Sequence, residues 1–227
     1  MFIRKDNSLK WNWILWGAIL TLVIVIVGAL GVDKWLYTLI HRSDCNVWTI
    51  SGNFICTTAI ALGKIFSPKH WLYGSALCVV AFFVYKAIKN ENDFRYAFVK
   101  IKNSYVFYVF CSVFMAALTA GILKNLIGRS RPLLFDALGI RLFEPFSSDY
   151  AFHSMPSGHA AIGFAGLVML GMLFPRVKWA TWTFAITLGI ARIYVGAHWP
   201  SDVVFGAFVG MVCADIVKSF LKKINRK

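Results

Sequence analysis

The chain has 227 residues, 59% of them hydrophobic, and a mean hydropathy of +0.65. That is more apolar than a water-soluble domain tolerates, which excludes an ordinary soluble enzyme and points to a bilayer. The formal net charge of +14 would suggest nucleic acid, but the basic residues sort by side of a membrane, so a nucleic-acid partner is excluded.

Crossing a hydrocarbon core of about 30 Å takes roughly 20 apolar residues. Residues 13–32 and 104–123 are uncharged windows of that length. Four further windows, 71–88, 157–174, 179–197 and 202–217, are shorter or carry a polar group. The first window is expected to be a retained helix: its apolar stretch is longer than a signal-peptide core, and GALGVDKW offers no small-x-small cleavage site. A long connection follows from Asp33 to His70. Its apolar part, FICTTAIALGKIF at 54–66, is too short to span and is expected to lie as a helix at the membrane surface or to re-enter the membrane. No repeat, low-complexity tract or linker divides the chain. Residues 1–227 are therefore expected to form one membrane-embedded domain. The fold class is all-α: a polytopic helical bundle of about six transmembrane helices, with a short surface helix in the first outer loop.

With six spans, one side of the membrane collects fifteen Lys and Arg and the other nine. The positive-inside rule then places both termini in the cytoplasm. Against that trend, Lys124, Arg129 and Arg131 crowd the outer end of the third span, and Arg192 sits in the outer end of the fifth with His198 and Asp202 just beyond. Snorkelling or a helix-start carboxylate explains each singly. The alternation of spans nevertheless puts residues 124–132, 156–159 and 192–202 on one outer face, and their convergence marks a site.

His159, His198 and Asp202 match metal ligands in number and type. The cations Lys124, Arg131 and Arg192 beside them would repel a divalent ion, so no metal and no cofactor is expected. The same cations suit phosphate oxygens. In PSGH, Pro156 pre-sets a first helical turn, Ser157 offers a hydroxyl, and Gly158 lets backbone N–H groups approach an anion at the positive helix end. Arg129 is open to two readings, the rim of the site or the surface.

These stretches resemble the three signature motifs of the type 2 phosphatidic acid phosphatase superfamily. Lys124, six residues and Arg131-Pro132 match the first motif, PSGH at 156–159 the second, and Arg192, five residues, His198, three residues and Asp202 the third. Ala191 stands where the third motif ordinarily opens with serine, which puts at most a supporting hydrogen bond in doubt. The motifs cover residues 124–202, and the integral-membrane branch of the superfamily includes bacterial lipid phosphatases.

The resemblance implies that His198 is the nucleophile, and the local chemistry agrees: an imidazole attacks phosphorus if a carboxylate, here Asp202, takes its other nitrogen. His159 would protonate the leaving alkoxide and later activate water. Lys124, Arg131, Arg192, Ser157 and the Gly158 amide would bind the phosphate oxygens. The implied activity is metal-independent hydrolysis of a phosphomonoester or pyrophosphate on a membrane lipid such as phosphatidylglycerophosphate, undecaprenyl pyrophosphate, phosphatidic acid or lipid A. It would occur at the outer face of the cytoplasmic membrane through a phosphohistidine. A lipid phosphotransferase shares the first half-reaction and stays open. A transporter would gain little from a carboxylate-oriented histidine facing a second histidine.

Cys45 and Cys56 both fall in the outer connection, where a disulfide is open to them. Asp215 either faces another helix or marks an earlier end to the last span. The connection 133–154 is apolar enough, through Leu138, Ile140, Leu142, Phe143, Phe146 and Phe152, to lie on the membrane and guide a lipid chain.

Overall fold

The structure, a computed structural model, describes residues 8–45, 53–89, 94–138 and 143–224. Among them the regular elements are helices, with no strand. α1 (Trp11–Val27) continues through a π-helical turn (Gly28–Val32) into α2 (Asp33–Ile40). Then follow α3 (Phe54–Ile65), α4 (Pro68–Lys89), α5 (Phe94–Lys102), α6 (Tyr105–Ile127), α7 (Pro132–Leu138), α8 (Gly158–Leu173), α9 (Lys178–Tyr194) and α10 (Pro200–Ile224).

All six apolar windows lie mainly on helices. Four helical stretches are long and apolar enough to cross a membrane: Trp11–Ile40, Pro68–Lys89, Tyr105–Ile127 and Pro200–Leu221. Helices α8 and α9 are shorter, with 16 and 17 residues, or about 24–26 Å at 1.5 Å per residue. Their position explains how such lengths suffice. α8 packs against α6, α9 and α10, and Ala160 to Met169 are buried without interruption. A helix apolar on every side belongs inside a bundle rather than against lipid. The protein is therefore an integral membrane helical bundle with α8 at its centre.

α8 packs extensively against α10. Gly206 and Gly210, one turn apart, face the α8 backbone so closely that a Cβ at either would overlap a carbonyl oxygen, of Ser157 and of Ala161 respectively. Small residues four apart are how membrane helices gain packing where no hydrophobic effect drives them together. This approach brings the start of α10 beside the start of α8, and Ser157 N donates to the Asp202 carbonyl at 2.9 Å. Asp215 is a buried residue of α10, so the helix continues past it.

The apolar segment at 54–66 is indeed a helix, α3, and it packs on α9. Its buried residues Cys56, Ala59 and Gly63 recur at helical spacing and form a stripe of small side chains. Cys56 is joined to Cys45 by a disulfide. Around that bond Ala59, Ala191, Val195 and Ala197 form one apolar cluster, so α3 is fixed against the end of α9. In the 133–154 connection, Phe143 and Phe146 are exposed and Phe152 is half-buried. Ile140, Leu142 and the Leu138 side chain lie outside the described residues.

Candidate active site

Four segments meet at one end of the bundle: the loop after α6, the start of α8, the turn between α9 and α10, and the inner face of α3. The loop after α6 is pinned by backbone pairing, with Arg131 N bonded to Ala151 O at 2.8 Å and Ser154 N to Arg129 O at 3.0 Å. Arg131 is buried, and its guanidinium donates to the carbonyls of Tyr150 (3.1 Å), Ala197 (2.9 Å) and His153 (3.0 Å). It also stacks 4.0 Å from the Tyr150 ring centroid. Burial lowers its pKa below the ordinary arginine value. Lys124, on the last turn of α6, donates Nζ to the His153 carbonyl at 2.7 Å.

Ser157 caps α8, its hydroxyl accepting from Ala160 N at 3.5 Å. The first-turn amides that follow have no carbonyl partner from the helix itself. His159 Nε2 lies 3.0 Å from the Gly63 carbonyl. A carbonyl only accepts, so Nε2 carries the proton and Nδ1 is the nitrogen left for chemistry. Arg192 donates to the Ala59 carbonyl at 3.0 Å, and its guanidinium lies over Gly63, where any Cβ would overlap it. The stripe of small residues on α3 thus seats both groups.

His198 is buried in the turn before α10, with Nδ1 3.8 Å from Asp202 Oδ2. The distance suits charge stabilisation but is too long for a hydrogen bond, and among the described residues Nδ1 has no hydrogen-bond partner. Asp202 is already occupied: Oδ2 accepts from Ser154 Oγ (2.5 Å) and Trp199 N (2.9 Å), and Oδ1 from Arg129 (2.7 Å). Burial, reinforced by the positive charges of Arg131, Lys124 and Arg192, pulls the His198 pKa well below the histidine range. This shift favours the neutral imidazole.

The lining of a cavity of about 900 Å³ includes Arg131, His159, Arg192 and His198, the further polar residues His41, Ser43, Asp136 and Asp149, and the apolar Leu133, Leu134, Phe135 and Ala137 of α7. Lys124, Ser157, Gly158 and Asp202 do not line it. Gly158 nonetheless lies beside Lys124, since a Cβ there would sit 3.6 Å from Lys124 Cε. Among the described residues, no cluster of three or more His, Cys, Asp or Glu is placed to hold a metal ion.

The structure settles the two readings of Arg129. Its guanidinium is buried and bonds Asp33, Asp202 and Ser201 at 2.7–2.8 Å. Burial opposes its charge, but the carboxylates of Asp202 and Asp33 outweigh that and hold its pKa above the ordinary value. It is neither at a rim nor on the surface. Asp33, Ser154, Ser201 and the carbonyls of Ala59 and Gly63 complete the site, and none stood out in the sequence. The one available signal was Asp33, an acid directly abutting an uncharged apolar window, which marks an intramembrane ionisable group.

The model of the PAP2 superfamily matches residues 105–226. Over 103 residues the chain is 45% identical to a lipid A 1-phosphatase of Rhizobium etli, a match covering 45% of this chain and 44% of that protein. Over 99 residues it is 35% identical to an undecaprenyl-diphosphatase of Sulfolobus acidocaldarius, covering 43% of this chain and 46% of the relative. These matches span less than half the length of either curated relative. The crystal structure of a PAP2-type phosphatidylglycerolphosphate phosphatase from Bacillus subtilis shares the fold, with a TM-score of 0.56 at 20% identity over 93% of this chain and 95% of that one. The family match takes in more than half of the 227 residues and contains all three motifs, so the chain belongs to the PAP2 superfamily.

Proposed function

We propose that this protein is a membrane lipid phosphatase that transfers a phosphoryl group from a lipid to His198 and then to water. The observation that carries the reading is one cavity that His159, His198, Arg131 and Arg192 line together, with a buried carboxylate 3.8 Å behind His198. Because Nδ1 of His198 faces Asp202, Nε2 is the attacking nitrogen. The N–P bond forms as the P–O bond to the lipid breaks, and His159, which gains a second proton at Nδ1 when the anionic phosphate binds beside it, gives that proton to the leaving oxygen. Water then attacks phosphorus, His159 takes the water proton, and the N–P bond breaks to release phosphate and neutral His198.

Arg131 and Arg192 supply preorganised donors for the oxygens as charge redistributes, and Lys124 adds a point charge from the second rank. Ser157 and the Gly158 amide extend the cradle at the positive end of α8. Arg131, Arg192 and Lys124 crowd the two reacting histidines, while the cavity's carboxylates Asp136 and Asp149 already accept from Tyr37 Oη and Ala151 N; this balance favours phosphate oxygens over a divalent ion and supports metal-independent chemistry. The charge distribution supports an active site on the outer face of the cytoplasmic membrane with both termini inside. The whole of residues 1–227 serves in this reading as one phosphatase domain.

Leu133, Leu134, Phe135 and Ala137 of α7 give the cavity an apolar side, so the substrate is expected to bring a lipid chain that concentrates and orients its phosphate. A panel of phosphatidylglycerophosphate, undecaprenyl pyrophosphate, phosphatidic acid and lipid A, in mixed micelles with chelator throughout, tests this through released phosphate. At least one lipid should be turned over with much higher kcat/KM than its soluble headgroup analogue. Equal efficiency on the soluble analogues would defeat the lipid reading. Activity lost to chelator and restored by magnesium or zinc would defeat the metal-free one. A phosphorylated lipid acceptor with little free phosphate would identify a phosphotransferase.

A further inference from the structure

Asp33 has no place in the three motifs or in the proposed chemistry, yet it is 1% exposed and lies within the helical stretch Trp11–Ile40. An ionisable group at that depth is costly unless paired. Its carboxylate accepts three hydrogen bonds: from Arg129 Nη2 at 2.7 Å, Ser201 Oγ at 2.5 Å and Ser201 N at 2.9 Å. Arg129 and Ser201 are also the groups that flank Asp202. Arg129 Nη1 donates to Asp202 Oδ1 at 2.7 Å and to Ser201 Oγ at 2.8 Å. One guanidinium therefore stands between two buried carboxylates, 169 positions apart in number, and both ion pairs are almost fully enclosed.

The local backbone is shaped for this contact. Asp33 follows the π-helical turn, its N–H bonded to the Gly28 carbonyl, and a Cβ on Gly28 would overlap the Asp33 carboxylate. Single π turns inside α-helices recur at functional sites.

We infer that Asp33 is a positioning residue of the proposed reaction, sharing Arg129 with Asp202 so that Asp202 keeps Oδ2 and an excess of negative charge for His198. The inference rests on the phosphatase reading of the site. Its physical basis is the charge count and the geometry of the fork. One cation against two carboxylates leaves net negative charge behind the imidazole, which the positive charge formed on His198 requires during attack. Without the Asp33 charge, Arg129 is neutralised by Asp202 alone. Its freed Nη2 then favours a bidentate grip on Asp202, competing for Oδ2, the oxygen nearest His198.

The test is a double-mutant cycle on the purified, detergent-folded full chain, comparing wild type, Asp33→Asn, Asp202→Asn and the double variant, each normalised to its folded fraction. Asparagine keeps the shape and an acceptor for Ser201 N while removing the charge. Asp33→Asn should lower kcat about ten- to hundredfold, the size typical of groups that orient a reacting side chain from behind, with KM little changed. In the Asp202→Asn background it should cause no further loss. Full kcat per folded molecule in Asp33→Asn, or the same fractional loss in both backgrounds, would overturn the inference. A second measurement does not depend on turnover: the ¹⁵N spectrum of labelled His198 should change its protonation behaviour in Asp33→Asn relative to wild type. If wild type releases no phosphate from any lipid, the phosphatase reading fails by itself. An unchanged His198 spectrum in the variant would then separately overturn the coupling.

Discussion

His198→Ala, folded in detergent, is expected to lose turnover by a factor on the order of 10⁶, the scale seen when a nucleophile that acts as part of a unit is removed. No neighbouring group replaces it. Arg131 and Arg192, which share its cavity, are permanent cations, and the other histidines that line it, His159 and His41, each have one nitrogen committed to a backbone carbonyl, of Gly63 and Tyr194 respectively. The wild-type pH profile carries a related expectation. Burial and the surrounding cations lower the His198 pKa, so protonation that blocks attack sets in only at a pH below the ordinary histidine value of about 6.5. The acid limb of kcat/KM, which reports the free enzyme, should therefore lie below that value. Substantial activity in His198→Ala, measured as phosphate release per folded molecule, would remove His198 from the reaction. An acid limb at or above the ordinary value would contradict its neutral, desolvated state.

His159→Ala is expected to cost about 10²–10⁴-fold on a lipid phosphate, the usual contribution of a positioned general acid. The effect should depend on the leaving group. An alkoxide leaves poorly without a proton, whereas an activated aryl oxide departs unaided, so the loss on an aryl phosphate should be much smaller while phosphoryl transfer to His198 remains limiting. Comparing kcat/KM for both esters in wild type and variant separates the roles. Equal losses would show that His159 binds or shapes the site rather than protonating the leaving oxygen.

The sequence reveals those parts of the site whose chemistry is local. The Pro-Ser-Gly-His run and the His198 to Asp202 spacing each lie within one turn or helix start, so the order of residue types announces them. The spans are legible for the same reason, since an apolar window of sufficient length has few alternatives in a bilayer. What stays hidden depends on contacts between distant segments. The Gly63 carbonyl that orients His159 is 96 residues away, and main-chain acceptors leave no signature in side-chain order. Asp33 reads as the end of the first span because it is charged. The helix instead runs on to Ile40, and the charge is neutralised by Arg129 inside the bundle. Arg129 shows the limit most clearly. By type and spacing it is equivalent to Arg131, two positions on, yet one bonds two carboxylates and the other lines the cavity. Only the partners tell them apart.

The most direct test of the account is to trap the intermediate. Wild-type protein is mixed with a radiolabelled lipid phosphate that it turns over, quenched in alkali within a single turnover, digested and mapped. An alkali-stable, acid-labile phosphoramidate is expected on His198 and absent from His198→Ala. It should accumulate in His159→Ala supplied with an activated aryl phosphate, because loss of the base that activates water slows its breakdown. Phosphate release with no labelled protein at any quench time, or label on a residue other than His198, would contradict it.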